Sequence, residues 1–247
     1  MSHSPKTQVT FVGNAGFLII IGDTKILIDA LFEGFIGGYA LPAAELDLLL
    51  NGKPPFDNIN FVLATHKHGD HFTAELVGQC LAHNPSALFI AEEIAASQVV
   101  AAGHPAIALP SQPNAHTHLV VNGIKIEAMY FAHGDESFPN LVPNLGYIVT
   151  VGERKFFHTG DADLDIVTAS TLRRLGVPER QIDIAFVGHY LLSGTRLPSF
   201  ITKGIRPEYI VPMHYAYTDP PFNYEWIAEH FPEAILFRAE MDSWTMP

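Results

Sequence analysis

The sequence predicts an α/β fold in which hairpin-rich sheets carry helices on their outer sides, a layered sandwich. Three observations lead there. Short β-rich runs recur along the chain, several are joined by Gly-Asp or Asn-Gly turns, and helical patterns alternate with them through the middle. No repeat, low-complexity tract or linker interrupts the pattern, so residues 1–247 are read as a single domain.

The elements follow in order. "QVTFVGNAGFLIIIGDTKILIDA" holds β-rich runs at Phe17 to Ile21 and Lys25 to Ile28, with Gly22 and Asp23 as the turn. A Gly- and Pro-punctuated apolar insertion over 31–56 follows, with a short helix around Ala43 to Leu50. "NFVLAT" is a buried strand that stops at a histidine cluster. Thr73 then caps a helix reaching Leu81. "ALFIA" is a strand and "EEIAASQVVAAG" a helix closed by Gly103. "HLVVNGIKIEAMYFA" and "GYIVTVGERKFFHTG" both read strand, turn, strand. "IVTASTLRRLG" is a helix, "IDIAFVG" a strand, "FITKGI" lies near a short helix, "YIVPMHY" is a strand and "YEWIAEHF" begins the last helix.

Composition narrows the function. At 48% hydrophobic and 16% charged residues the chain has material for a full core. Its net charge of −12 offers few cations to replace counterions on nucleic acid, and disfavours an anionic membrane surface. Cys80 is the lone cysteine, so no internal disulfide forms and a reducing compartment fits. "MSHSPKTQVTF" lacks a basic-then-apolar signal region, and no apolar run reaches the ~18 residues of a membrane span. A cytoplasmic setting is expected.

The chemistry concentrates in "LATHKHGDHF". His66, His68, Asp70 and His71 crowd one turn after a buried strand, where a tight bend can aim several side chains at one point. Imidazoles and a carboxylate are the ligands of a borderline cation such as Zn²⁺. Without a cation they would create a desolvation problem. Further ligands belong at other strand ends, and His133, Asp161 and His214 each end a β-rich run.

The string "THKHGDH", then His133, "TGD" at Asp161 and "PMH" at His214, resembles the metallo-β-lactamase fold superfamily in motif type and order. "ILIDA" at Asp29 looks like that family's first motif. The resemblance spans Val9 to His214 and implies a four-layer αββα sandwich with a two-metal site. It implies that His66, His68 and His133 hold one metal, that Asp70, His71 and His214 hold the other, and that Asp161 bridges them. Asp70 would also take a proton during catalysis, and Asp29 would orient the ligand loop. The implied cofactors are two divalent ions, zinc or manganese, and such a pair can generate a shared hydroxide at neutral pH. Among relatives the chain is similar to small hydrolases that include the ascorbate-phosphate lactonases, sharing the short form, the H-x-H-x-D-H loop and the late "PMHY".

The implied function is hydrolysis of an ester, lactone or phosphoester-type small molecule. The alternatives are a thioester hydrolase, a phosphodiesterase, a β-lactamase or a non-catalytic metal-binding regulator. Lys67, Arg196 and Lys203 are the cations nearest the motifs for an anionic substrate. His189, Tyr190 and Tyr217 follow strand ends and are candidate substrate contacts. Asn14 departs from the histidine that many relatives carry in this opening. Phe32, Phe35, Ile36 and Tyr39 of the insertion form core, a contact in a homo-oligomer, or a lid. His116 and His118, before an Asn-Gly turn, read as hairpin surface, and His158 as packed.

Overall fold

The computed structural model describes residues 5–34, 41–133, 142–163, 167–192, 199–214 and 224–247, with the side chains of Tyr190 and Leu191 also outside the description. Two compact units emerge, Met1–Leu109 with Phe237–Pro247, and Pro110–Leu236.

The first unit is built on a seven-stranded sheet ordered β13-β1-β2-β3-β4-β5-β6. Strands β1 (Thr7–Gly13), β2 (Gly16–Ile21) and β3 (Thr24–Ile28) form an antiparallel meander. Strands β4 (Phe61–Ala64), β5 (Leu88–Glu92) and β6 (Ile107–Leu109) then add in parallel. Parallel neighbours need crossovers. Here α1 (Ala43–Leu50) falls between β3 and β4, α2 (Ala74–His83) between β4 and β5, and α3 (Glu93–Ala101) between β5 and β6. Leu18, Leu27, Val62 and Phe89 from the strands share a core with Leu49, Val77, Cys80, Leu81 and Val99 from these helices. Phe32 is buried, in keeping with its reading as core.

The second unit carries a six-stranded sheet ordered β12-β11-β10-β9-β8-β7. Strands β7 (His116–Val121), β8 (Ile124–Ala132), β9 (Pro143–Val151) and β10 (Arg154–His158) run antiparallel, and β11 (Ile184–Gly188) and β12 (Tyr209–Met213) are parallel to β10. Met129, Ile148, Phe157, Ala185 and Ile210 pack with Leu172 of α4 (Ala169–Arg174), Phe200 and Ile205 of a π-helical turn (Phe200–Ile205) and Ile227 of α5 (Tyr224–His230). Since β8 and β10 run the same way as β11 and β12, the carboxyl ends of all four reach one sheet edge.

Two sheets flanked by helices are what the predicted class requires, and the helix at Ala43–Leu50 has the expected bounds. Three details differ. Strand β1 was not given as a run of its own, and strands β6 and β13 (Ser243–Thr245), three residues each, went unread. Glu92 is the N-cap of α3 rather than a helical residue; its carboxylate accepts from the Ile94 and Ala95 amides at 2.5 and 2.8 Å. Thr73 occupies the N-cap position of α2 but makes no side-chain capping bond.

Gly16 shows how tightly the first unit closes on Asp29. A Cβ there would lie 2.7 Å from the Asp29 carbonyl oxygen, 2.9 Å from Ala30 Cα and 2.9 Å from the Gly13 carbonyl oxygen, all backbone. At Gly69, within the histidine cluster, nothing lies within 4 Å of an added Cβ. Gly16→Ala should therefore cost about 1–3 kcal/mol in urea unfolding, while Gly69→Ala should shift the midpoint little.

Cys80 is buried, and desolvation pushes its thiol up to about 11. The thiolate is the reactive form, so at pH 8 a thiol reagent should label native protein far more slowly than urea-unfolded protein. The raised value also sets a sign: stability is full below the unfolded thiol's ordinary value near 8.5. It falls as pH climbs from there through 11, because the unfolded thiol ionises first.

Candidate metal centre

In the first unit, β4 ends at Ala64 and the chain turns through Thr65 to Phe72 before α2 begins. The bend is closed on one carbonyl: the His71 and Phe72 amides both donate to the oxygen of His68, at 3.0 and 2.9 Å. His66, Asp70 and His71 are buried, and His68 is half-buried.

Asp29 organises this turn. It follows β3, which runs parallel to β4, so its side chain meets the start of the turn. Its Oδ1 accepts the Thr65 amide at 2.8 Å, and its Oδ2 accepts the Thr65 hydroxyl at 2.7 Å and His71 Nδ1–H at 2.9 Å. A carboxylate only accepts, so Thr65 spends its one hydroxyl proton on Asp29. Thr65 Oγ1 must then accept from His66 Nδ1–H, 3.0 Å away. Both tautomers follow: His66 and His71 are protonated on Nδ1 and carry the lone pair on Nε2. His66 Nε2 lies 3.1 Å from His68 Nδ1, and His71 Nε2 lies 3.7 Å from Asp70 Oδ2. Asn14, in the turn between β1 and β2, donates its amide to the Asp70 carbonyl at 2.9 Å and to Asp70 Oδ2 at 3.3 Å.

In the second unit, β8 runs into His133, β10 leads through Thr159 and Gly160 to Asp161, and β12 ends before His214. His133 Nε2 and His214 Nε2 lie 3.4 and 3.0 Å from the same oxygen, Asp161 Oδ2. Buried Asn144 clamps the segment: its Oδ1 accepts the Asp161 amide at 3.1 Å and its Nδ2 donates to the Thr159 carbonyl at 3.1 Å. The Asp163 amide donates to the Ala132 carbonyl at 2.8 Å, tying this segment to the end of β8.

Each unit thus gathers its own share of the predicted ligands, with imidazole nitrogens beside carboxylate oxygens, a donor set that fits a borderline divalent cation. Thr65 and Asn144 were missed from sequence; Thr65 directly precedes the cluster, and that adjacency was the available signal. His189 stands half-buried at the end of β11, on the edge that carries Asp161 and His214. His158 is buried, accepts the Gly160 amide on Nδ1 at 3.1 Å and stacks on Phe186. Lys67 and Lys203 are exposed. Tyr217, Phe35, Ile36, Tyr39, Arg196 and the Tyr190 side chain lie outside the described residues.

Comparison with known proteins decides the family, since the β-lactamase superfamily domain matches residues 8–214. The chain belongs to that family. It is 26% identical over 216 residues to a UPF0173 metal-dependent hydrolase of Heliobacterium modesticaldum, covering 84% of this chain and 82% of the relative. A UPF0173 metal-dependent hydrolase of Thermococcus onnurineus is 27% identical over 241 residues, covering 95% and 94%. Among solved structures, Igni18, a metallo hydrolase from Ignicoccus hospitalis, superposes with a TM-score of 0.67 at 21% identity, covering 98% of this chain and 99% of that one. The protein is a metal-dependent hydrolase of the metallo-β-lactamase superfamily, with His and Asp clusters able to bind metal. No helix among the described residues is long and apolar enough to cross a membrane.

Asp29→Asn tests the tautomer argument. An amide there has one acceptor oxygen for donors that now share two, and its NH₂ would face Thr65 or His71. Zinc affinity, measured by competition with a chromophoric chelator, should fall about 10–100-fold. Wild-type affinity in the variant would refute the role of Asp29.

Proposed function

We propose that this hydrolase is dinuclear and acts on an ester, lactone or phosphoester-type bond of a small molecule. His66, His68 and His133 would hold one divalent ion and Asp70, His71 and His214 the other, with Asp161 shared between them and both units serving one domain. The observation that carries the reading is the hydrogen-bond chain Asp29–Thr65–His66 together with Asp29–His71. It fixes both imidazoles with Nε2 as the lone-pair nitrogen, the form a metal ligand needs. Asp161 Oδ2 between two imidazole nitrogens supports its shared role.

Two ions, zinc or manganese, would supply Lewis acidity and a hydroxide at neutral pH. The chain's own residues do the rest. Asp70, steadied by Asn14, is the carboxylate placed to take a proton. Asn144 holds the backbone from Thr159 to Asp161 in place, which sets where the Asp161 side chain starts. His189 is the described candidate for a substrate contact, with Tyr190 and Tyr217 proposed beside it. A small, uncharged or weakly anionic substrate suits a chain of net charge −12 better than a polyanion, and a cytoplasmic setting suits the single buried thiol.

Asp161→Ala should lose at least one equivalent of metal by elemental analysis and abolish turnover, with the circular dichroism spectrum kept. Full metal content with wild-type turnover would overturn the site. A panel of ester, lactone, thioester and phosphodiester substrates on metal-quantified protein then ranks the bond types; preference for thioesters or phosphodiesters would replace the substrate proposed.

A further inference from the structure

The second H-x-H of the chain is not simple hairpin surface. Strand β7 is an edge strand, and its period of two puts His116, His118 and Val120 on one face. The Asn122–Gly123 turn sets the register, which places His118 opposite Glu127 and His116 opposite Met129. Glu127 is a buried carboxylate, held from the other side by Arg180: Nε donates to Oε1 at 3.1 Å and Nη2 to Oε2 at 3.1 Å. His118 Nδ1 lies 3.1 Å and His116 Nε2 3.6 Å from the same Oε2, with the two rings 4.5 Å apart.

An ion pair explains part of this. Arg180 neutralises Glu127, and His118, 62% exposed at its side chain, could equally bond to water. His116 is the residue left over. Its Nε2 is shielded from solvent and has no hydrogen-bond partner among the described residues, yet it faces a carboxylate oxygen that is already served.

We propose that His116, His118 and Glu127 form a separate binding site for a zinc-type divalent cation, with Arg180 steadying the carboxylate. The three donor atoms lie within 4.8 Å of one another. Ligands at ~2.0–2.1 Å in a tetrahedron stand about 3.4 Å apart, and the separations of 3.1 and 3.6 Å bracket that value. A cation there gives His116 Nε2 the partner it lacks. Ligating carboxylates are themselves hydrogen-bonded in metal sites, which is the part Arg180 plays. Besides Arg180, whose charge is spent on Glu127, two positive groups oppose the ion. The Lys155 ammonium is committed to the Arg180 carbonyl at 2.6 Å, and Lys125 is exposed and screened by solvent. A hollow of about 260 Å³ adjoins the cluster, lined by His118, Glu127, Lys155 and Arg180 together with apolar side chains such as Val120 and Ile148. The site is distinct from His133, which stands six positions after Glu127 along the line of β8, roughly 20 Å of strand.

The test strips the full-length protein with a chelator, dialyses it against micromolar zinc chloride and counts zinc per chain, for wild type, His116→Ala and His118→Ala. Each variant should hold one equivalent less than wild type, with hydrolysis of the best panel substrate within twofold and an unchanged circular dichroism spectrum. Equal zinc in wild type and either variant overturns the three-ligand site, as does a cobalt-loaded wild type whose visible bands are unaltered by His118→Ala. Because the readout is a difference, it stands whether the hydrolytic residues hold one ion or two.

Discussion

The Asp29 carboxylate is the constraint on which the first unit's chemistry depends. It is 1% exposed, and three donors from the metal-ligand turn converge on it. Buried polar groups without partners are costly, so the turn from Thr65 to His71 has one arrangement that satisfies both sides. That arrangement is also the one that presents two imidazole lone pairs. Folding and ligand preparation are therefore the same set of hydrogen bonds, which is why Gly16 must stay small: a methyl there would push directly on the Asp29 backbone.

The second unit solves the same problem with a neutral group. Asn144 offers one acceptor and one donor, and uses them on the Asp161 amide and the Thr159 carbonyl. A carboxylate at 144 could not donate, and would place a second negative charge near Asp161. An amide fixes the backbone without changing the local charge. The contrast follows from what each clamp touches: Asp29 meets three donors, Asn144 one donor and one acceptor.

Much of this was legible in sequence. A dense polar string after an apolar strand is rare enough to mark His66 to His71, and His133, Asp161 and His214 stood out because β-rich runs stop at them. The clamps were less legible because they act across the chain; Asp29 reaches Thr65 over 36 positions and Asn144 reaches Asp161 over 17. Asp29 itself was marked by motif resemblance, whereas Asn144 sits in no motif. Strands β6 and β13 carry too few residues to show a period. Glu92 looked helical because its neighbours are, and only its position at the end of β5 makes it a cap. At His116 and His118 the signal was present: a two-residue turn that pairs Val121 with Ile124 also pairs His118 with Glu127.

Three side chains around the half-sites occupy backbone that glycine would hold more cheaply. Asn14, Asp29 and His214 have φ of 50°, 47° and 62°. The left-handed region costs an ordinary residue on the order of 1 kcal/mol, and Asn, Asp and His tolerate it better than most. The cost is retained where the side chain has a task that hydrogen cannot perform: Asn14 holds Asp70, Asp29 holds Thr65 and His71, and His214 points at Asp161. The same conformation ends each strand's ladder at that residue, so the side chain leaves the sheet at the edge instead of alternating into a packed face. Backbone strain at these positions is thus the local means by which a β-strand delivers a polar group to its own end.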